Sequence, residues 1–398
     1  MTSDASGADP PTSLPAVQGA DAGAAGLPDR SALPWRQRAI VDASAISDVG
    51  LRTAVATMLA AAMTPPVLAT VLRRNVSHRE RDNLRFYAEL AAEHAPAKSF
   101  PAPTSLPRVS SRPASPIAEW VAHGNVENIA FASSFEAVNP AMRRQWRALR
   151  HNNVVRAQHW RHDDGPRPTL CVIHGFLGSS YLLNGLFFTL PYYYRSGYDV
   201  LLYTLPFHGR RAEKYSPFSG YGYFAHGLTG FAEATAQAVH DFRSLLDYLR
   251  HTGVERIALT GISLGGYTSA LIASVDDRLE AVIPNCPVVT PITLFDEWFP
   301  ASKLVALGLR LSDISRDELA VALSYHCPLN HRPLLPLDRR LIITGLGDRF
   351  APPNQAEMLW QHWDRCALHW FPGSHLMHIS QLEYLRRMTR FLQGLMFS

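Results

Sequence analysis

From residue 154 to the C-terminus, short apolar runs alternate with longer stretches in which apolar positions recur every three or four residues. The short runs predict buried strands at Val154–His159, Thr169–His174, Tyr198–Leu205, Ile257–Thr260, Leu279–Pro284, Arg340–Thr344 and Ala367–Phe371. The longer ones predict helices at Leu228–Leu249, Gly265–Ala273, Gln355–Trp363 and Ile379–Leu395. Strands and helices in alternation predict an α/β fold, a mostly parallel sheet with helices on both faces. Val289–Pro336 interrupts the pattern with prolines and short helical pieces at Ser302–Leu311 and Asp317–Ser324. It reads as a cap insertion, residues 289–336, above the carboxyl ends of the strands, where pockets form.

The chain before this region is organised differently. Residues 1–34 are rich in Ala, Gly, Pro, Ser and Asp, have little to bury, and read as a disordered tail. Residues 35–116 form a helical extension with a Pro/Ser-rich linker, and residues 117–398 form the main domain. Thr53–Leu72 is uncharged over the ~20 residues that a membrane span needs, but it is rich in Ala and Thr and interrupted by Pro65-Pro66. Two short helices packed on the main domain are therefore expected, with peripheral membrane contact through them as the other use. Arg79–His94 carries Leu84, Tyr87, Leu90 and Ala91 on one face and charges opposite, as a docking helix would. Ala95–Pro116 reads as an extended strap, Asn125–Phe135 as a segment packed at the domain entrance, and Ala141–Leu149 as a short helix.

Composition narrows the function. The 398 residues are 47% hydrophobic, enough for a large core. A formal charge of +4, with arginines scattered rather than grouped, gives no nucleic-acid footprint. Cys171, Cys286, Cys327 and Cys366 are far apart and form no C-x-x-C pair, so buried reduced thiols are expected. His326, Cys327 and His331 have ligand-like spacing but no second ligand cluster, and neither a metal nor an organic cofactor is expected. The N-terminus has no basic start followed by an apolar core, which makes the cytoplasm the expected compartment.

Chemistry centres on Gly261-Ile262-Ser263-Leu264-Gly265-Gly266, a G-x-S-x-G stretch between a predicted strand and a predicted helix. A serine hydroxyl is a weak nucleophile until a base takes its proton, so Ser263 needs a histidine and a group to orient it. Asp348, in Gly345-Leu346-Gly347-Asp348-Arg349, follows the strand Arg340–Thr344; His375, in Pro372-Gly373-Ser374-His375, follows the strand Ala367–Phe371. Rival acids are Asp296 and Glu297 in the cap, and the rival histidine is His378. His174 and His208 read as loop braces, and the aromatics of Tyr192-Tyr193-Tyr194 as packing.

With the order Ser, Asp, His, the His174-Gly175-Phe176 segment after an early strand, and Leu205-Pro206-Phe207-His208-Gly209 after the next, residues 154–395 resemble the α/β-hydrolase superfamily. More loosely, His174-Gly175-Phe176-Leu177-Gly178 and the long leader resemble the type-18 abhydrolase-domain proteins. The resemblance implies Ser263 as nucleophile, His375 as general base and acid, and Asp348 as the group that fixes the imidazole tautomer. It also implies an oxyanion hole from the backbone N–H groups of Phe176 and Leu264. The expected reaction is cleavage of a small-molecule or lipid ester (carboxylester, lipid or thioester) through an acyl-enzyme intermediate, with an amidase, a peptidase or a non-catalytic binding protein of the same fold as the alternatives.

Overall fold

The computed structural model describes residues 26–72, 74–379 and 381–397, without the side chains of residues 65–78, 294 and 295. Nine strands form one sheet: β1 (Ser110–Pro113), β2 (Asn125–Ala132), β3 (Val154–Arg161), β4 (Thr169–Ile173), β5 (Asp199–Tyr203), β6 (Ile257–Ile262), β7 (Ala281–Asn285), β8 (Leu341–Gly345) and β9 (Ala367–Phe371). Their spatial order is β1-β2-β3-β5-β4-β6-β7-β8-β9; β1, β2, β3 and β5 pair antiparallel, and β5 through β9 pair parallel. In β4 to β8 every residue is buried, which is why these strands appear as uninterrupted apolar runs. Successive side chains enter opposite faces. Cys171, Ile173, Leu201 and Leu259 pack with Val239, Phe242 and Leu246 of the helix Gly227–His251, while Leu170, Val172, Leu202 and Ile283 share the other core with Leu385, Met388 and Leu392 of the helix Gln381–Met396.

β4 pairs with β5 on one side and β6 on the other. The strand order therefore reverses at β4, and the crevice at its carboxyl end is where a sheet of this kind binds ligands. The helices Pro291–Glu297, Ala301–Leu311 and Arg316–Leu323 form the cap after β7.

The leader departs most from expectation. Residues 1–25 of the anticipated tail lie outside the described residues, whereas Leu33 is buried and Leu27 packs against the same core. In place of two short helices, α1 (Trp35–Leu72) runs as one helix through Pro65-Pro66. Pro66 has no N–H for the carbonyl of Ala62, and the Tyr221 hydroxyl donates to that oxygen instead, at 3.3 Å. Length and composition would let Trp35–Thr64 cross a bilayer, but in this structure the face bearing Val41, Ala45, Asp48, Val55, Ala56 and Leu59 is buried.

The second leader helix, α2 (Arg74–Ala92), docks through Leu84, Tyr87 and Ala91. Its Glu80 accepts from the Thr229 N–H at 3.1 Å and its Tyr87 hydroxyl donates to Glu233 at 2.6 Å, both on the helix Gly227–His251. The anticipated strap contains β1, an edge strand exposed at all four residues and held by main-chain pairing to β2, so apolar patterning could not reveal it. β2 itself lies in the segment expected to pack at the domain entrance.

Tyr87→Phe removes a donor from a carboxylate that otherwise accepts only from the Val138 and Asn139 N–H groups among the described residues. Chemical denaturation is expected to show a loss of about 1–3 kcal/mol; an unchanged midpoint would mean that the leader contributes nothing through this bond.

Candidate active site

At the end of β6 the chain turns from strand to helix on Ser263, which has φ 57° and ψ −116°. A residue with a β-carbon rarely adopts positive φ, so the turn must be held by its neighbours. The Ser263 N–H donates to Asn285 O of β7 at 3.0 Å, and the Tyr267 N–H donates to Ser263 O at 2.9 Å. The flanking glycines admit the close approach: a β-carbon on Gly261 would lie 2.5 Å from Gly265 C, and one on Gly265 would run into Ile173 O and lie 2.7 Å from His174 O. Leu264 opens the helix Leu264–Ile272, so its N–H has no intrahelical acceptor. Across from it, a β-carbon on Gly175 would stand 3.5 Å from that of Ser263, which brings the His174-Gly175-Phe176 segment alongside the serine. Ser263, Leu264 and Phe176 all border one cavity.

Asp348 and His375 sit in the loops after β8 and β9 and meet there. Asp348 is fully buried; its Oδ1 accepts from the Phe350 and Ala351 N–H groups, each at 2.8 Å, and its Oδ2 lies 2.6 Å from His375 Nδ1. An ionised carboxylate only accepts, so Nδ1 carries the proton and Nε2 keeps a lone pair in the neutral ring. Burial works against charging the His375 ring, but the charge and hydrogen bond of Asp348, with the charge of Asp48, outweigh it and raise its pKa above the ordinary value. Phe350 stacks on the imidazole, ring centroids 5.1 Å apart.

The cavity has an empty volume of about 840 Å³, counting its mouth, and nearly all its lining is apolar: Phe224, Phe231, Trp298, Ala301 and Val305 from the domain and cap, Leu59 and Met63 from α1.

The rival residues are placed elsewhere. Asp296 is exposed and paired with Arg316, and Glu297 lies 3.7 Å from Arg52. His378 braces the loop, with Nε2 3.1 Å from His375 O and Nδ1 2.9 Å from the Tyr384 hydroxyl; burial, with His375 beside it, pushes its pKa down to about 4. His174 reaches Gly175 O at 2.8 Å and accepts from the Leu205 N–H at 3.2 Å, and His208 Nδ1 lies 2.8 Å from Pro206 O. His326 is bonded to the Tyr267 hydroxyl, His331 to Tyr325 O at 3.0 Å, and Cys327 to Val289 O at 3.1 Å, so their polar atoms do not converge on a common point. All four cysteines are free thiols. Among the described residues, Cys286, Asp348 and His375 have ligand atoms within 4.8 Å of one another. Burial pushes the Cys286 thiol well above its ordinary range, and both Asp348 oxygens already accept hydrogen bonds, which suits an acid–histidine pair better than a metal centre.

Sequence reasoning missed Asp48, on α1. It is 2% exposed, and its Oδ2 accepts from the Arg349 N–H at 3.1 Å and the His375 N–H at 3.0 Å. A signal existed: Asp48 shares a helical face with Val41, Ala45, Val55 and Leu59, and an acid on an apolar face needs a partner. Leu59 and Met63 were missed as pocket residues for a related reason, since nothing local says which wall an apolar helix will form.

Residues 168–335 match the family profile described as alpha/beta hydrolase fold. An uncharacterized protein of Mycobacterium tuberculosis, present in strains H37Rv and CDC 1551, is 32% identical over 240 residues, 58% of this chain and 55% of the relative. The chain thus spans little more than half the length of these relatives. Two solved structures are similar in fold: an acetyl xylan esterase from Paenibacillus sp. R4 (TM-score 0.54, 16% identity, 79% of this chain and 94% of the other) and acetyl xylan esterase 1 from Thermoanaerobacterium sp. JW/SL YS485 (0.52, 14%, 79% and 93%). Sheet order, elbow and profile match together show the α/β-hydrolase fold.

Gly265→Ala forces a β-carbon into the β4 backbone. It is expected to lower stability by at least ~3 kcal/mol or to prevent folding, read from the thermal melting transition; a melting temperature equal to that of the parent would show that strand and helix have room to part.

Proposed function

We propose that this chain is a serine hydrolase that cleaves a carboxylic ester bearing an apolar acyl group, through an acyl-enzyme intermediate. The observation that carries the reading is Ser263 on an apolar cavity at the sheet's switch point, in a chain that also buries an Asp348–His375 pair bonded at 2.6 Å. In this reading Ser263 Oγ attacks the ester carbonyl while His375 Nε2 takes its proton. Asp348 keeps the other ring nitrogen protonated and stabilises the imidazolium that forms. The N–H groups of Leu264 and Phe176 donate to the tetrahedral oxyanion, a contribution worth about 10²–10³ in rate for each donor. His375 then returns the proton to the departing alcohol, and water repeats the sequence on the acyl-enzyme.

The substrate class follows from the cavity wall. Phe224, Phe231, Trp298, Leu59 and Met63 offer few polar partners, so the acyl side should be apolar and its burial should contribute about 0.8 kcal/mol per methylene. A fluorophosphonate probe is expected to label the wild-type chain and to leave Ser263→Ala unlabelled, and in a panel of esters kcat/KM should rise with acyl length until the cavity is filled. Equal labelling of both chains would overturn the nucleophile, and a flat panel would overturn the acyl pocket.

The raised pKa of His375 has opposite signs for stability and rate. Because the fold favours the protonated ring, that contribution to stability is complete below the unfolded value of about 6.5 and is lost as pH rises through the folded value. A general base must be neutral, so kcat/KM is expected to climb through the same folded value, with its acidic limb above 6.5. A limb below that value, measured with an uncharged ester, would show that Asp348 and Asp48 do not outweigh burial at the His375 ring.

A further inference from the structure

We propose that Asp48, on the leader helix α1, is a positioning residue of the catalytic centre: one carboxylate oxygen holds the backbones of the acid loop and the histidine loop together. The inference rests on the serine-hydrolase reading above. Asp348 and His375 stand on separate loops that leave adjacent parallel strands, and their side-chain bond requires the loops in register. Near the strand ends that register is set by Leu346 N–H to Phe371 O at 2.9 Å and Gly347 N–H to Gly373 O at 2.8 Å. Beyond those bonds the two chains run on to the reacting residues, and there Asp48 Oδ2 accepts from Arg349 N–H at 3.1 Å and His375 N–H at 3.0 Å.

The helix is seated for the purpose. Arg52, one turn on, donates to Arg349 O at 2.9 Å, and a β-carbon on Gly347 would run into Ser44 Oγ, so α1 lies directly on the acid loop. A buried carboxylate is costly unless it is bonded, and these two N–H groups, each one residue from or part of the acid–histidine pair, are what it bonds. The charge also acts on the His375 ring, which Asp348 on the β8 loop bonds, and on the Cys286 thiol at the end of β7; His378, on the histidine's own loop, bonds His375 O, Arg52 donates to Arg349 O, and Arg349 donates to Asp348 O. The leader therefore supplies part of the machinery and not only a wall.

Two variants test this in the full chain with one ester substrate. Asp48→Ala removes both the acceptor and the charge, and is expected to lower kcat about 10²-fold, the cost of roughly 1 Å of misplacement, with KM within about threefold of the parent. Asp48→Asn keeps an acceptor oxygen and is expected to restore kcat to within about fivefold. Without the negative charge near the ring, its acidic limb should move to lower pH. Parental kcat in Asp48→Ala overturns the proposal, as does an equal loss in both variants. Should Asp48→Ala fail to show a cooperative melting transition, the Asp48→Asn pH profile decides, and an acidic limb coincident with the parent's overturns it. Ser263→Ala is run alongside: if it retains turnover the serine-hydrolase reading itself fails, whereas an inactive Ser263→Ala beside a fully active Asp48→Ala sinks only the role of Asp48.

Discussion

Strand β4, strand β6 and the helix Leu264–Ile272 approach one another so closely that a single β-carbon at residue 265 would run into the carbonyl of Ile173. This steric limit governs the rest of the site. It permits the sharp turn that keeps Ser263 at positive φ, and it sets the first N–H groups of the helix, which have no acceptor within the helix, beside the serine. It also brings Gly175 alongside Ser263, so that the segment after β4 and the turn after β6 share one cavity. The reversal of strand order at β4 opens that crevice.

Around this point the structure is held by buried polar groups whose partners come from distant parts of the chain. Asp348 is satisfied by its own loop and by His375, the loops of both are held by Asp48 from α1, and Glu233 takes its donors from Tyr87 and the 138–139 backbone. Each is an acid that would be costly to bury alone. Burial raises the pKa of both Glu80 and Glu233 against the hydrogen bonds each accepts, so the junction between leader and main domain is partly desolvated. Leader and main domain consequently form a continuous interior, with Leu59 and Met63 lining the same cavity as Trp298 and Phe231.

Where burial is complete on both faces, the sequence was easy to read. The runs around Ile257, Leu279, Arg340 and Ala367 are strands to within two residues, and the 3.6-residue periodicity at Leu228 and Ile379 marks two long helices. Pattern failed where main-chain bonding or a remote partner decides the outcome. β1 is Ser-Ser-Arg-Pro, exposed throughout, and exists only because β2 offers it an edge. Pro65-Pro66 should have ended a helix, yet the helix continues, and the Tyr221 hydroxyl donates to the Ala62 oxygen that Pro66 cannot bond.

The sequence by itself determined the strands from β3 to β9, the elbow and the order of Ser263, Asp348 and His375, because each depends on local covalent geometry or on the periodicity of burial. Only the tertiary structure decided that Asp348 rather than Asp296 meets the histidine, that His378 is a brace, and that α1 reaches over both loops. Those outcomes turn on which polar groups find one another, 27 residues apart for Asp348 and His375 and 327 apart for Asp48 and His375. A carboxylate shows the same letter whether it is solvated, as Asp296 is, or buried between two loops, as Asp48 is; desolvation separates them, and desolvation is a property of the folded molecule.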